Sequence, residues 1–135
     1  MKHKALTVKH PYSYLICSGV KDIENRSWKC PQKYIGERVL IHASAKWAKE
    51  SDNLEQFFSM QLVYMRKMGI VLNPGIMPTS AIIGSVIIAD CVQNHPSIWA
   101  IEGYYHWVLK DPILFEQPIL NVKGKLGFWD YELGL

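Results

Sequence analysis

The longest apolar run in the chain, Ala81 to Val92, constrains the fold more than any other segment. It reads A-I-I-G-S-V-I-I-A-D-C-V, and it is far shorter than the roughly 20 residues that cross a bilayer as a helix. Its richness in β-branched residues predicts a long strand, and no other segment predicts a membrane span. Gly84 within the run predicts a β-bulge or a close approach of another part of the backbone.

Shorter elements surround this strand. Pro11 fits the first turn of a helix that continues through Cys17, and Gly19 is placed to end that helix in a left-handed conformation. Further strands are predicted at Ala5–Val8, Arg38–His42, Tyr105–Lys110 and near Leu126–Trp129, and a short helix at Ser97–Glu102. Strands so irregularly spaced, with helices inserted early, indicate an α+β barrel rather than a doubly wound parallel sheet.

A longer helix is predicted to begin near Asp52 and to end at Gly69. Asp52 and Glu55 have the spacing of a capping box. Apolar residues then recur every three or four positions, which is typical of a helix face packed in a core. These residues are Leu54, Phe57, Phe58, Leu62, Met65 and Met68.

Size and composition indicate one globular domain spanning residues 1–135. Of the 135 residues, 49% are apolar and 20% charged, and the net charge of +3 permits a local basic patch without requiring one.

Cys17, Cys30 and Cys91 form no C-x-x-C pair, so we expect reduced thiols, no metal site and no cofactor. Because no apolar signal core follows the charged start, we expect a cytoplasmic protein. Its oligomeric state stays open.

The densest group of polar residues is the pattern G-x-K-x-x-E-x-R, formed by Gly19, Lys21, Glu24 and Arg26 and followed by Trp28. In a fully extended strand Lys21 would face away from Glu24 and Arg26, because side chains alternate. A turn after Gly19 would instead bring all three charges to one cleft, with Trp28 on the same strand face.

Such a cleft would suit a nucleotide. Ammonium and guanidinium groups bind phosphate or carbonyl oxygens, a carboxylate accepts hydrogen bonds from amines or ribose hydroxyls, and aromatic rings stack on bases. The alternative is an exposed Glu24–Arg26 ion pair with a solvated Lys21, an arrangement that is common and weak. The residues alone leave both interpretations open.

Most of the chain resembles the ASCH family, a branch of the PUA-like superfamily. The resemblance covers the segments A-L-T-V and His10-Pro11-Tyr12, the G-x-K-x-x-E-x-R pattern, Leu40–Lys46, Ala81–Cys91, Tyr105–Leu109 and Lys123–Trp129. It implies a PUA-like mixed β-barrel with flanking helices. It also implies a ligand-binding cleft formed by Tyr12, Lys21, Glu24, Arg26, Trp28 and Ser44.

This chain departs from its relatives at two positions. Bacterial relatives often have Gln-Pro-Trp where this chain has His10-Pro11-Tyr12, which changes the group that the helix start presents to the cleft. Relatives that hydrolyse acetylated cytidine have a threonine at the position of Glu24, so the hydroxyl of that site is missing here.

Several aromatic and polar residues have two interpretations. His42 is either a hydrogen-bonded core histidine or a pocket residue beside Ser44, and Ser44 is either a pocket residue or a helix cap. Trp107 and Trp129 are assigned to the core, because large aromatic residues dominate small cores. Trp28, next to the charges, is the better candidate for stacking on a base.

The resemblance and the charged pattern favour a domain that binds RNA or a modified nucleoside. A first alternative is an enzyme, either a small nucleoside amidohydrolase or a ribonuclease, in which Lys21 and Glu24 would be catalytic. A second alternative is a protein-interaction domain of the kind found in transcription coactivators. A search for products separates the first two.

Overall fold

The computed structural model describes residues 1–47, 59–72 and 77–133. Within these ranges the chain forms six strands, two α-helices and a short 3-10 helix. The strands are β1 (Lys2–His10), β2 (Ile23–Arg26), β3 (Arg38–Trp47), β4 (Ala81–Val92), β5 (Tyr105–Ile119) and β6 (Phe128–Glu132); the helices are α1 (Tyr12–Cys17) and α2 (Ser59–Lys67), and the 3-10 helix is Gln32–Tyr34. The predicted helix start at Asp52 lies outside the described residues.

The strands form one mixed sheet in the order β2-β5-β4-β3-β1-β6, which curves into a half-barrel. β1 and β3 are parallel, and the other neighbouring strands are antiparallel. The predicted α+β barrel class is therefore confirmed.

Both faces of the central strands are buried, which explains the nearly continuous apolar run of β4. The larger core lies on the face covered by α1 and includes Val8, Ile41 and Ile83. The smaller core lies on the opposite face, where Ala5, Leu40 and Ile82 join Trp129. Trp107 and Trp129 are buried, as predicted.

Gly84 has both features that its position in the strand predicted. The register of β4 shifts next to it on both sides of the sheet. A Cβ atom at Gly84 would overlap the backbone oxygen of Ile113 on β5 and would lie only 2.8 Å from the sulfur of Cys17, so the backbone of β5 and helix α1 both approach closely at this point.

Two predictions about helices need correction. Residues 97–102 form turns rather than a helix, because Asn25 holds their backbone: its amide donates to Trp99 O at 2.9 Å and accepts from Ile101 N–H at 3.0 Å. On α2, Met65 is buried but Leu62 is 42% exposed, and Met68, directly after the helix, is 61% exposed.

No helix in the described ranges is both long enough and apolar enough to cross a membrane.

Candidate functional site

The end of α1 directs the chain into the charged segment. Gly19 has φ +84°, its N–H donates to Ile16 O, and the N–H of Val20 donates to Leu15 O. This is the hydrogen-bond pattern of a Schellman cap, for which glycine is favoured because it has no Cβ atom. The predicted left-handed end of α1 at Gly19 is confirmed. Lys21 lies two residues further along the chain, just before β2 begins at Ile23.

Lys21, Glu24 and Arg26 form one cluster. The ammonium of Lys21 lies 3.9 Å from Glu24 Oε1, donates to the carbonyl of Ile23 and sits 5.5 Å from the centre of the Tyr12 ring. Glu24 Oε2 lies 2.8 Å from Arg26 Nε and 2.6 Å from Nη2. Because Lys21 is only 2% exposed, the alternative of a solvated lysine is wrong, although the ion pair that it assumed is present.

Arg26 joins this cluster to β1. Its Nη2 donates to the carbonyl of Thr7 at 3.0 Å, and the guanidinium carbon lies 5.8 Å from the centre of the Trp107 ring. With two cations and one carboxylate, the cluster of Lys21, Glu24 and Arg26 has a formal charge of about +1 in a largely buried position.

A cleft of about 320 Å³ opens beside the cluster. Four of the six predicted site residues line it: Tyr12, Glu24, Arg26 and Ser44. Lys21 is buried and is not part of the lining. Trp28 is also outside it, 37% exposed, with its ring edge-on to Trp107 at 4.8 Å.

The charged wall of the cleft keeps hydrogen-bonding capacity. Among the described residues, neither Glu24 Oε1 nor Arg26 Nη1 makes a hydrogen bond. The carboxylate oxygen can accept from an amine or a hydroxyl, and the Nη1 group can donate to an oxygen or a ring nitrogen. A ligand that offers a donor beside an acceptor fits both.

Other residues of the cleft were not predicted as site residues. Thr7 and Asn25 line it, and so do Lys125, Leu126 and Gly127. The K-G-K-L-G sequence was part of the family resemblance, but its position in the chain gave no sign that it faces β2. Only the sheet order, which places β1 and β6 together, reveals this.

His42 is a hydrogen-bonded core histidine. Its Nε2 donates to Val122 O at 2.6 Å, and its Nδ1 accepts from Thr7 Oγ1 at 3.3 Å. Thr7 Oγ1 in turn accepts from Trp129 Nε1 at 3.2 Å. Burial lowers the pKa of His42, opposed by its hydrogen bond to the Val122 carbonyl. With Nε2 donating and Nδ1 accepting, this chain of donors and acceptors is satisfied.

The family model of the ASCH domain matches residues 6–119, and this chain therefore belongs to the ASCH family. Its half-barrel is the PUA-like fold of that family, which is RNA-binding in general. Among solved structures, the crystal structure of a mutant of ZmASCH from Zymomonas mobilis is similar, with a TM-score of 0.51 and 14% identity. The match covers 87% of this chain and 73% of that one, and at this identity it concerns the fold alone. The comparison with curated proteins found no match.

Proposed function

We propose that this chain binds RNA or a nucleoside-like ligand and that one base or ribose lies in the cleft between Glu24 and Arg26. The observation that carries the proposal is the pair of atoms that make no hydrogen bond on the wall of the cleft, Glu24 Oε1, which has the Lys21 ammonium at 3.9 Å, and Arg26 Nη1. Neither is a buried atom left without a partner among the described residues, so a ligand in the cleft can take the place of water at both.

The ligand's chemistry follows from these two groups. Glu24 accepts from an exocyclic amine or a ribose hydroxyl, and Arg26 donates to a carbonyl oxygen, a ring nitrogen or a phosphate. Tyr12 and Ser44 complete the lining, Tyr12 with an aromatic ring that can pack against a base. Trp28, outside the lining, is proposed to stack on a neighbouring base of the same strand.

The position of Lys21 favours binding over catalysis. Its side chain is 1% exposed and is not among the residues that line the cleft, so we assign it the role of balancing the charge of Glu24. A lysine acting as a general base would need to come within hydrogen-bond reach of the reacting group. The enzyme alternative therefore requires a rearrangement of Lys21.

The test is a titration of the protein with the four common ribonucleosides and with random RNA decamers, followed by mass spectrometry of the mixtures. We expect binding and no product. Glu24→Gln should weaken binding about tenfold, since it exchanges a charge-assisted hydrogen bond for a neutral one. Glu102→Gln, the same change at an exposed position, is the control and should leave the affinity unchanged.

Two results would contradict the proposal. One is equal affinity of the wild type and Glu24→Gln. The other is turnover that falls about 100-fold or more in Glu24→Gln while binding changes little, which would identify Glu24 as a proton-transfer group of an enzyme.

A further inference from the structure

A second concavity of about 380 Å³, here called the lysine concavity, adjoins the cleft. The two share Thr7, Ser44, Lys125 and Leu126. Lys123 and Ser80 are among its other lining residues, and none of its described lining residues is an Asp or a Glu. A ligand seated between Glu24 and Arg26 can therefore extend into it.

The backbone that carries the two lysines is fixed in place. Val122 accepts from His42 Nε2 at 2.6 Å and donates through its N–H to Ser80 O at 2.8 Å. Gly124 lies against the His42 ring, and a Cβ atom there would be 2.7 Å from His42 Cε1. Only glycine allows this contact, and the contact fixes the backbone between Lys123 and Lys125 against the His42 ring.

The charge of these lysines is not neutralised locally. Both are exposed, and neither lies within 4.0 Å of a carboxylate in the described part of the chain. Asp130 is paired with Lys4 at 2.6 Å, and its pKa is lowered chiefly by that hydrogen bond and in smaller part by Lys125. Two ammonium groups beside neutral hydroxyls make a site for an anion.

We propose that the lysine concavity binds the phosphate attached to the nucleoside in the cleft, through Lys123 and Lys125. This inference rests on the proposed function and narrows its ligand: the substrate class is nucleotides, free or within an RNA strand, rather than free nucleosides. Phosphate contacts of this kind position a strand and make affinity depend on salt.

The experiment compares calorimetric titrations of the four ribonucleosides, their 5′- and 3′-monophosphates, and random RNA decamers. Wild type should bind a monophosphate at least tenfold more tightly than its nucleoside. The double variant Lys123→Gln/Lys125→Gln should lose this preference but keep its nucleoside affinity. For the decamers, the slope of log K against log salt should fall by about 0.7, the contribution of one phosphate contact on a single strand.

The control is Lys2→Gln/Lys33→Gln, which makes the same change in net charge at two exposed positions away from the cleft. It should keep the full preference for phosphate. Tighter binding of monophosphates than of decamers would indicate free nucleotides as the source of the phosphate. Tighter binding of decamers would indicate an RNA strand.

Three results would overturn the inference. Equal affinity of the wild type for nucleosides and monophosphates would contradict the phosphate site, while the proposed function would still stand. Retention of the preference in Lys123→Gln/Lys125→Gln, or its loss in the control, would place the effect elsewhere on the protein. No binding of any probe would overturn both proposals.

Discussion

Arg26 holds Glu24 through two nitrogen atoms, with Nε at 2.8 Å and Nη2 at 2.6 Å from the same carboxylate oxygen. Nη2 also donates to the carbonyl of Thr7 on β1. One guanidinium thus links the charged strand to the neighbouring wall of the cleft and still presents Nη1 to a ligand.

The first prediction tests whether the branched guanidinium of Arg26 is needed, or only its charge. Arg26→Lys keeps the charge but cannot contact Glu24, Thr7 and a ligand at once, since a lysine ends in a single ammonium. Loss of one charge-assisted hydrogen bond, about 1.5–3 kcal/mol, corresponds to roughly tenfold to hundredfold weaker binding of RNA decamers. Arg66→Lys on the exposed side of α2 is the matched control. Unchanged affinity of Arg26→Lys would mean that charge alone is needed.

A second prediction concerns the stability of the buried charges. Lys21→Ala removes the ammonium beside Glu24 and the donor to the Ile23 carbonyl, while Arg26 still pairs with Glu24. Leaving the buried acceptor unsatisfied costs about 1–3 kcal/mol. The free energy of unfolding, measured in urea, should fall by about that amount. Lys33→Ala, at an exposed position, should change it by about 0.5 kcal/mol or less. A similarly small loss for Lys21→Ala would show that Glu24 does not depend on this lysine.

The third prediction addresses the hydrogen-bond chain through Thr7. Thr7→Val keeps the side-chain shape but removes the hydroxyl that serves both Trp129 Nε1 and His42 Nδ1. Leaving buried groups unsatisfied costs about 1–3 kcal/mol each, so the urea midpoint should fall. Thr79→Val, which breaks no such chain, serves as the comparison. Equal midpoints for the two variants would contradict the role given to Thr7.

A fourth prediction follows from His10, which is fully buried. Burial lowers the pKa of His10 from 6.5 to about 4. Between these two values the unfolded chain binds a proton that the folded chain does not, so the free energy of unfolding falls as the pH drops from about 6.5 to about 4. The fall is at most about 1.4 kcal/mol per pH unit for one group.

His10→Gln removes this titration, and relatives often have glutamine at the position. The unfolding free energy of the variant should therefore change less over the same pH window than that of the wild type. Identical pH profiles would show that His10 does not titrate below its ordinary range.

Local signals in the sequence predicted the turns and close contacts well. The left-handed helix end at Gly19 and the bulge and close contact at Gly84 were predicted correctly. Each depends on the absence of a Cβ atom, which a glycine in the sequence shows directly. The expected helix at residues 97–102 failed because Asn25, more than 70 positions away, holds that backbone in turns.

The cleft was predictable only in part. The charged pattern indicated that Lys21, Glu24 and Arg26 would meet, and they do meet. The sequence could not show that Lys21 would be buried outside the lining, nor that Lys125 would line the same cleft as Arg26. The second depends on the curvature and order of the sheet, in which β2 and β6 are the two edge strands, a long-range arrangement that carries no local signal.

The most direct test of the cleft as the ligand site is an NMR titration of the ¹⁵N-labelled protein with random RNA decamers. Shifts should concentrate at residues 7–12, 24–26, 44 and 123–127, and the side-chain N–H signals of Arg26 should be among the most affected. A different surface is available for comparison, the apolar groove that includes Leu114, Phe115 and Pro118. Shifts confined to that groove, with the Arg26 signals unchanged, would contradict the account.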